Sequence, residues 1–129
     1  MLFSVGNQHA VIGIERKRDP DDTYLTYSAS QFQWSTDPTV YFASADCSGD
    51  PVIASQIGPW PALAFRIGTE VTIYFARNVP QQSFFVASHR DSPSPECNAL
   101  DRPFAMVGFP AGAKIVITHG HPEPLTISY

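Results

Sequence analysis

The chain has 129 residues, 43% of them apolar, and a formal net charge of −4; this is the size of one ordinary domain with a real core, not of a disordered tail. Phosphate binding needs clustered Lys and Arg, and the densest cluster, Arg16-Lys17-Arg18, is cancelled by Asp19, Asp21 and Asp22, so neither nucleic acid nor an anionic membrane surface is an expected partner. No apolar run approaches the ~20 residues that span a bilayer, and membrane insertion is not expected.

The opening residues, Met1-Leu2-Phe3-Ser4-Val5-Gly6, lead straight into strand-like sequence. They lack the basic and long apolar regions of a secretory signal. Export would then rest on a leader removed upstream, on a longer parent protein, or on release by lysis. From here on the 12 prolines and 8 glycines cut the chain every few residues. No stretch carries apolar residues at helical spacing over a dozen positions, and no helix is expected. Instead, short runs rich in Val, Ile, Thr, Phe and Tyr read as strands. His9 to Glu15 alternates Ala10, Ile12 and Ile14. Tyr24 to Ser28 and Gln31 to Trp34 are β-prone, and Val40 to Ala43 is short and aromatic. Ala62 to Ile67 sets Leu63, Phe65 and Ile67 on one face. Glu70 to Arg77 sets Val71, Ile73 and Phe75 on one face and Thr72, Tyr74 and Ala76 on the other. Gly68-Thr69 between them fits a type II′ hairpin turn, because its first central position needs a positive φ. Ser83 to His89, Phe104 to Phe109, Lys114 to Thr118 and Leu125 to Tyr129 complete the set. Asp-Pro at 19–20, 37–38 and 50–51 marks corners. Asp91 to Pro103 is the least β-like part and reads as a long loop. The pattern predicts one all-β domain over residues 1–129. Its expected form is an antiparallel β-sandwich, jelly-roll-like or Ig-like, of about nine short strands.

The two cysteines stand 50 positions apart, in turn-like contexts: Asp46-Cys47-Ser48-Gly49-Asp50-Pro51 and Pro95-Glu96-Cys97-Asn98. Buried free cysteines normally lie inside apolar runs. Two loop cysteines with no other thiol predict one bridge, Cys47–Cys97; two unrelated free thiols are the alternative. A bridge places the chain in an oxidising compartment.

The run Val40-Tyr41-Phe42-Ala43-Ser44-Ala45-Asp46-Cys47-Ser48-Gly49-Asp50-Pro51 resembles small bacterial extracellular β domains. In these, an aromatic strand of the type YFxSxDCSGxP precedes a second half with one more Cys, to which Ser88 to Cys97 corresponds. The resemblance covers Val40 to Phe109 and departs at Val52-Ile53, where an aromatic commonly follows the Pro. Such domains end surface appendages, some with collagen-like stalks, and phage tail-fibre-like proteins. The resemblance implies a non-catalytic module displayed outside the cell or on a virion, and homotrimers where such modules cap a stalk.

Several constellations could carry chemistry. His119-Gly120-His121, if extended, would point two imidazoles to one side, with Glu123 as a third metal ligand and a second histidine-bearing strand from His89 or His9. That spacing resembles the cupin motif, although Glu follows too soon. Two solvated histidines in a Gly/Pro turn are the plainer reading, so no cofactor is expected beyond an adventitious or structural divalent metal. Asp19, Asp21 and Asp22, or Asp46 with Asp50, could offer oxygens to Ca²⁺, but solvated Asx turns explain them as well. Ser88-His89-Arg90-Asp91 holds the residue types of a hydrolase triad, but neighbours on a strand face opposite sides. No catalytic residue is expected. Trp60, between two prolines, and Trp34 could stack on a sugar beside Asp46 and Asp50, or could be core or subunit interface.

Three readings follow. The first is a non-catalytic extracellular structural or interaction module that self-associates or meets a protein or glycan surface. The second is a carbohydrate-binding, lectin-like domain. The third is a small metal-dependent enzyme using His119 and His121.

Overall fold

A computed structural model describes residues 1–6, 8–18, 27–54 and 60–125. Among these the chain is all-β, with ten strands and no α-helix: β1 (Leu2–Val5), β2 (Gln8–Val11), β3 (Ile14–Arg18), β4 (Tyr27–Trp34), β5 (Thr39–Phe42), β6 (Ala62–Ile67), β7 (Glu70–Ala76), β8 (Gln82–Asp91), β9 (Asn98–Gly108) and β10 (Ala111–Val116). Every pairing is antiparallel. The strands form two ribbons, β1–β2 and β3–β4, and two three-stranded sheets, β10–β7–β6 and β5–β8–β9.

The β6–β7 hairpin organises the body. Its register runs from Ala62↔Phe75 to Ile67↔Glu70, which leaves a two-residue loop. Gly68 takes the expected positive φ of 58°, a conformation a Cβ would penalise. Residues opposite one another share a face. Ala64, Val71, Ile73 and Phe75 therefore pack into one core with Phe3, Ala10, Ile12 and Trp34 from the ribbons. Leu63, Phe65 and Ala76 pack into a second core with Val40, Phe42, Cys47 and Ile53. The central sheet is thus covered on both faces, a sandwich-like arrangement with a core on each side. Val71, Ile73 and Phe75 are fully buried, and each contributes about 1.5–3 kcal/mol of apolar burial.

Several expected boundaries move. The strand expected over His9 to Glu15 is two strands broken at Ile12-Gly13, where the Met1 ammonium donates to the Ile12 carbonyl at 2.7 Å and the Ser35 N–H donates to the Gly13 carbonyl at 2.8 Å. The long loop over Asp91 to Pro103 shrinks to residues 92–97, because β9 begins at Asn98 and pairs His89↔Asn98 and Ser88↔Ala99. Pro103 is accommodated because it falls in the register shift between Ala99 and Phe104 on an edge strand, where it has no ladder partner to lose. The last turn of the expected Lys114 to Thr118 strand is a 3-10 turn, Ile117–His119. The expected Tyr24 start of β4, the Asp19-Pro20 corner, Asp21 and Asp22, and the strand beyond Leu125 lie outside the described residues.

Beyond Pro51, Val52 donates its N–H to the Tyr41 carbonyl at 2.9 Å and Ile53 bridges Phe109, which links β5 to the end of β9. A Cβ at Gly108 would meet the Ile53 carbonyl oxygen at 2.7 Å, so this approach requires glycine.

Asp37 joins β4 to β5 through β6. Its N–H donates to the Ala64 carbonyl at 2.8 Å, and its Oδ2 accepts the Ala64 N–H at 3.2 Å. The residue as a whole is exposed, but its carboxyl end turns in against β6. Loss of water there pushes its pKa above the ordinary 3.8, by more than the Ala64 bond pulls it down. The folded state therefore binds the proton more tightly than the unfolded chain. The contribution of Asp37 to stability falls as pH rises through the window above 3.8. Asp37→Asn keeps an acceptor for Ala64, so its stability relative to the parent should be greatest near pH 7. That advantage should shrink as pH falls towards 3.8; parallel urea melts at the two pH values check this, and a pH-independent difference would refute it.

Candidate functional site

A cleft of about 420 Å³ lies where β6 and β3 meet the segment after β10. Its floor follows from strand parity. Ala62, Ala64 and Arg66 share the first-core face of β6, and Arg66 stands opposite Val71 at the end of the sheet. Past the edge of that core the guanidinium meets Glu123. Arg66 Nη1 donates to Glu123 Oε1, and Nη2 donates to Oε2 at 2.8 Å. The two side chains are only 14% and 12% exposed. Both also hold the backbone of Trp34: its N–H donates to Glu123 Oε2 at 2.8 Å, and its carbonyl accepts Arg66 Nη2 at 3.2 Å. Next along, Leu125 and Phe32 exchange two backbone hydrogen bonds, of 2.7 and 2.8 Å. The ion pair thus clips residues 123–125 beside β4. Lys17, Gln33, Glu70 and His119 stand around this floor.

The arrangement spends its best acid–base group on structure. A general acid or base must be free to exchange a proton with substrate. Glu123 is instead engaged at both oxygens by a permanent cation and by the Trp34 N–H.

The expected metal set does not form around His119 and His121. Ile117–His119 is a 3-10 turn and Gly120 is in the helical region, so the alternation that would align two imidazoles is absent. His119 Nε2 lies 3.7 Å from Glu70 Oε2. The His121 ring instead packs edge-on to Phe3 and Trp34, at 5.7 and 6.1 Å. Glu123, the expected third ligand, is paired with Arg66. The other two histidines are engaged elsewhere: His9 Nδ1 lies 2.6 Å from the Ser4 hydroxyl, and His89 Nδ1 lies 3.3 Å from Asp91. Among the described residues no three His, Cys, Asp or Glu side chains come together as a metal site.

The four residues expected to bind a ligand are not brought together either. Trp34 is 2% exposed, and its indole N–H donates to the His121 carbonyl at 3.2 Å; it is core, and no sugar can stack on it. Trp60 is half-buried at the seam between the two cores, its N–H donating to the Ala76 carbonyl at 2.8 Å. Asp46 accepts the Ser48 N–H at 3.2 Å. The Ser48 hydroxyl, then that N–H, hold its carboxyl below the usual carboxylate range. Asp50 faces Lys114 at 3.7 Å. Each acidic group serves its own turn.

The bridge Cys47–Cys97 is present, with Cα atoms 5.8 Å apart. Cys47 sits at φ 58°, a left-handed conformation costly for a residue with a Cβ. What holds it there is Ser88, which is fully buried. Its hydroxyl accepts the Cys47 N–H at 3.0 Å and donates to the Ser44 carbonyl at 2.5 Å. Ser88 therefore faces inward while His89 and Asp91 pair on the outer side, and the three do not form a triad. Ser88→Ala leaves the buried Cys47 N–H and the part-buried Ser44 carbonyl without this partner and should cost about 1–3 kcal/mol. An unchanged urea midpoint would show that the corner holds without it.

Sequence reasoning did not name Arg66, and it weighed Ser88 only as a nucleophile type beside His89 and Asp91, not as the buried support of the Cys47 corner. For Arg66 the signal was available: it is the one charged residue in an otherwise apolar strand and shares parity with Ala62 and Ala64. Against known proteins the chain has no match among family models, curated sequences or solved structures.

Proposed function

We propose that this chain is a non-catalytic structural or interaction module that works outside the cell or on a virion surface, as a terminal domain of an appendage or tail-fibre-like protein. The disulfide supports an oxidising compartment. Among the described residues no helix is long and apolar enough to cross a membrane.

The observation that carries the reading is an apolar strip on the β8–β9 ribbon. Phe85 is 66% and Val107 55% exposed. The pairs Ser83↔Val107 and Phe85↔Ala105 place all four residues on one face. Exposed aromatic and branched side chains gathered on one face mark a contact surface. The strip carries no charge, so a second copy can meet it in a symmetric contact without like-charge repulsion. We assign it to self-association.

Sedimentation of the full chain across a concentration series tests this. Association is expected, and Phe85→Ser with Val107→Thr should return the monomer without lowering the melting temperature. A monomer at all concentrations, or association that survives the double variant, would overturn the assignment.

A further inference from the structure

The outer face of the β5–β8–β9 sheet carries a second constellation, away from the cleft. Tyr41, His89 and Asn98 stand in one cross-strand row, and Thr39 and Asp91 in the row beside it. Side chains alternate along a strand. These five therefore point away from Val40, Phe42 and Ser88, which face the second core. The Tyr41 ring lies 5.5 Å from that of Phe104 and 6.0 Å from that of His89. Phe104 is 40% exposed, and the side chains of His89 and Asp91 are 23% and 55% exposed. Asp91 Oδ1 accepts the Thr39 hydroxyl at 2.9 Å and lies 3.3 Å from His89 Nδ1, so its carboxylate is oriented.

This face offers two aromatic rings beside an imidazole, an amide and an oriented carboxylate. Arg90, the cation in the adjoining row, is turned to the opposite face, over the Phe42 ring at 5.5 Å, so it does not face a ligand here. Asp91 Oδ1 is already shared by Thr39 and His89, so a ligand hydroxyl meets the carboxylate at Oδ2. What fits is a neutral ligand with an apolar C–H face for the rings and hydroxyls for Asp91, His89 and Asn98, which between them accept and donate. We propose that this face binds a neutral saccharide, with Tyr41 and Phe104 as the stacking platform and Asp91 as the principal hydroxyl acceptor. The inference rests on the interaction-module reading and names the chemistry of the partner.

The test is a glycan array probed with the full chain, followed by NMR titration with glucose, galactose, mannose and N-acetylglucosamine. Binding to neutral glycans is expected, with shifts of the Tyr41 and Phe104 ring signals. Asp91→Ala, at an exposed position, and Tyr41→Ala should each weaken binding at least tenfold, while His119→Ala in the cleft leaves it unchanged. Because Tyr41 is half-buried, the shift map of the parent chain and Asp91→Ala decide the matter if Tyr41→Ala fails to fold. No signal on any neutral glycan, binding that Asp91→Ala leaves intact, or ring shifts with choline chloride and not with the sugars would overturn the site. Cleavage of a bound glycan would overturn the non-catalytic reading and leave the site standing. Failure on glycans with self-association intact would do the reverse.

Discussion

Replacing both Cys47 and Cys97 with alanine should lower the unfolding free energy by about 4 kcal/mol. This is the chain-entropy value for a bridge of this span, whose partners are 50 positions apart. The loss has a local address as well as a global size. Cys97 immediately precedes Asn98, the first residue of β9, and the first pairs of that strand are His89↔Asn98 and Ser88↔Ala99. The register of β9 shifts between these pairs and Val86↔Phe104, so the pairs on the near side of the irregularity depend on the bridge to fix their start. At the other end, Cys47 is held in its left-handed conformation by Ser88. Without the bridge, hydrogen exchange should accelerate first at Asn98 to Asp101 and proteolysis at residues 92–97, before β6 and β7 respond. Urea unfolding gives the size, and exchange resolved by residue gives the place. An unchanged midpoint, or exchange that rises uniformly, would contradict the account.

The same region shows how far a sequence can be read. The β6–β7 hairpin was legible because two independent signals agreed: alternation of period two on both strands, and a glycine where the two-residue turn needs a positive φ. The first half of β9 was hidden. Asp101 and Pro103 are poor strand residues, and they are tolerated only because β9 is an edge and a disulfide pins its start. The two-sided burial of the central sheet left a trace in the consecutive burial of Leu63, Ala64 and Phe65, the mark of a strand covered on both faces. The candidate sites were less legible, because strand parity gives the face on which a residue lies but not what covers that face. The sequence left the aromatics open as core, interface or ligand platform, with core foremost, and the ribbons lying over the sheet make Trp34 core. Tyr41 meets Phe104, and Thr39 meets Asp91, only across strands, which no local window contains.

Glu123→Ala should cost about 3 kcal/mol, because it strands the Arg66 guanidinium in a site only 14% exposed and removes the acceptor of the Trp34 N–H. Glu123→Gln keeps an acceptor for Trp34 and loses the charge, so its cost should be smaller. The joint replacement Arg66→Met with Glu123→Leu should recover most of the loss, because a desolvated ion pair and a well-packed apolar pair of similar volume are close in energy. These three outcomes separate structure from chemistry. If the pair serves to clip residues 123–125 beside β4, stability in urea follows this order, and binding at Tyr41 and Asp91 is untouched in every variant that folds. If Glu123 were instead a working acid or ligand group, Glu123→Gln would abolish function while leaving the fold nearly intact. The near burial of both partners, and their shared hold on both backbone groups of Trp34, favour the clip. A cost for Glu123→Ala within a few tenths of a kcal/mol of zero would remove that argument, since water from the cleft would then be replacing the carboxylate freely.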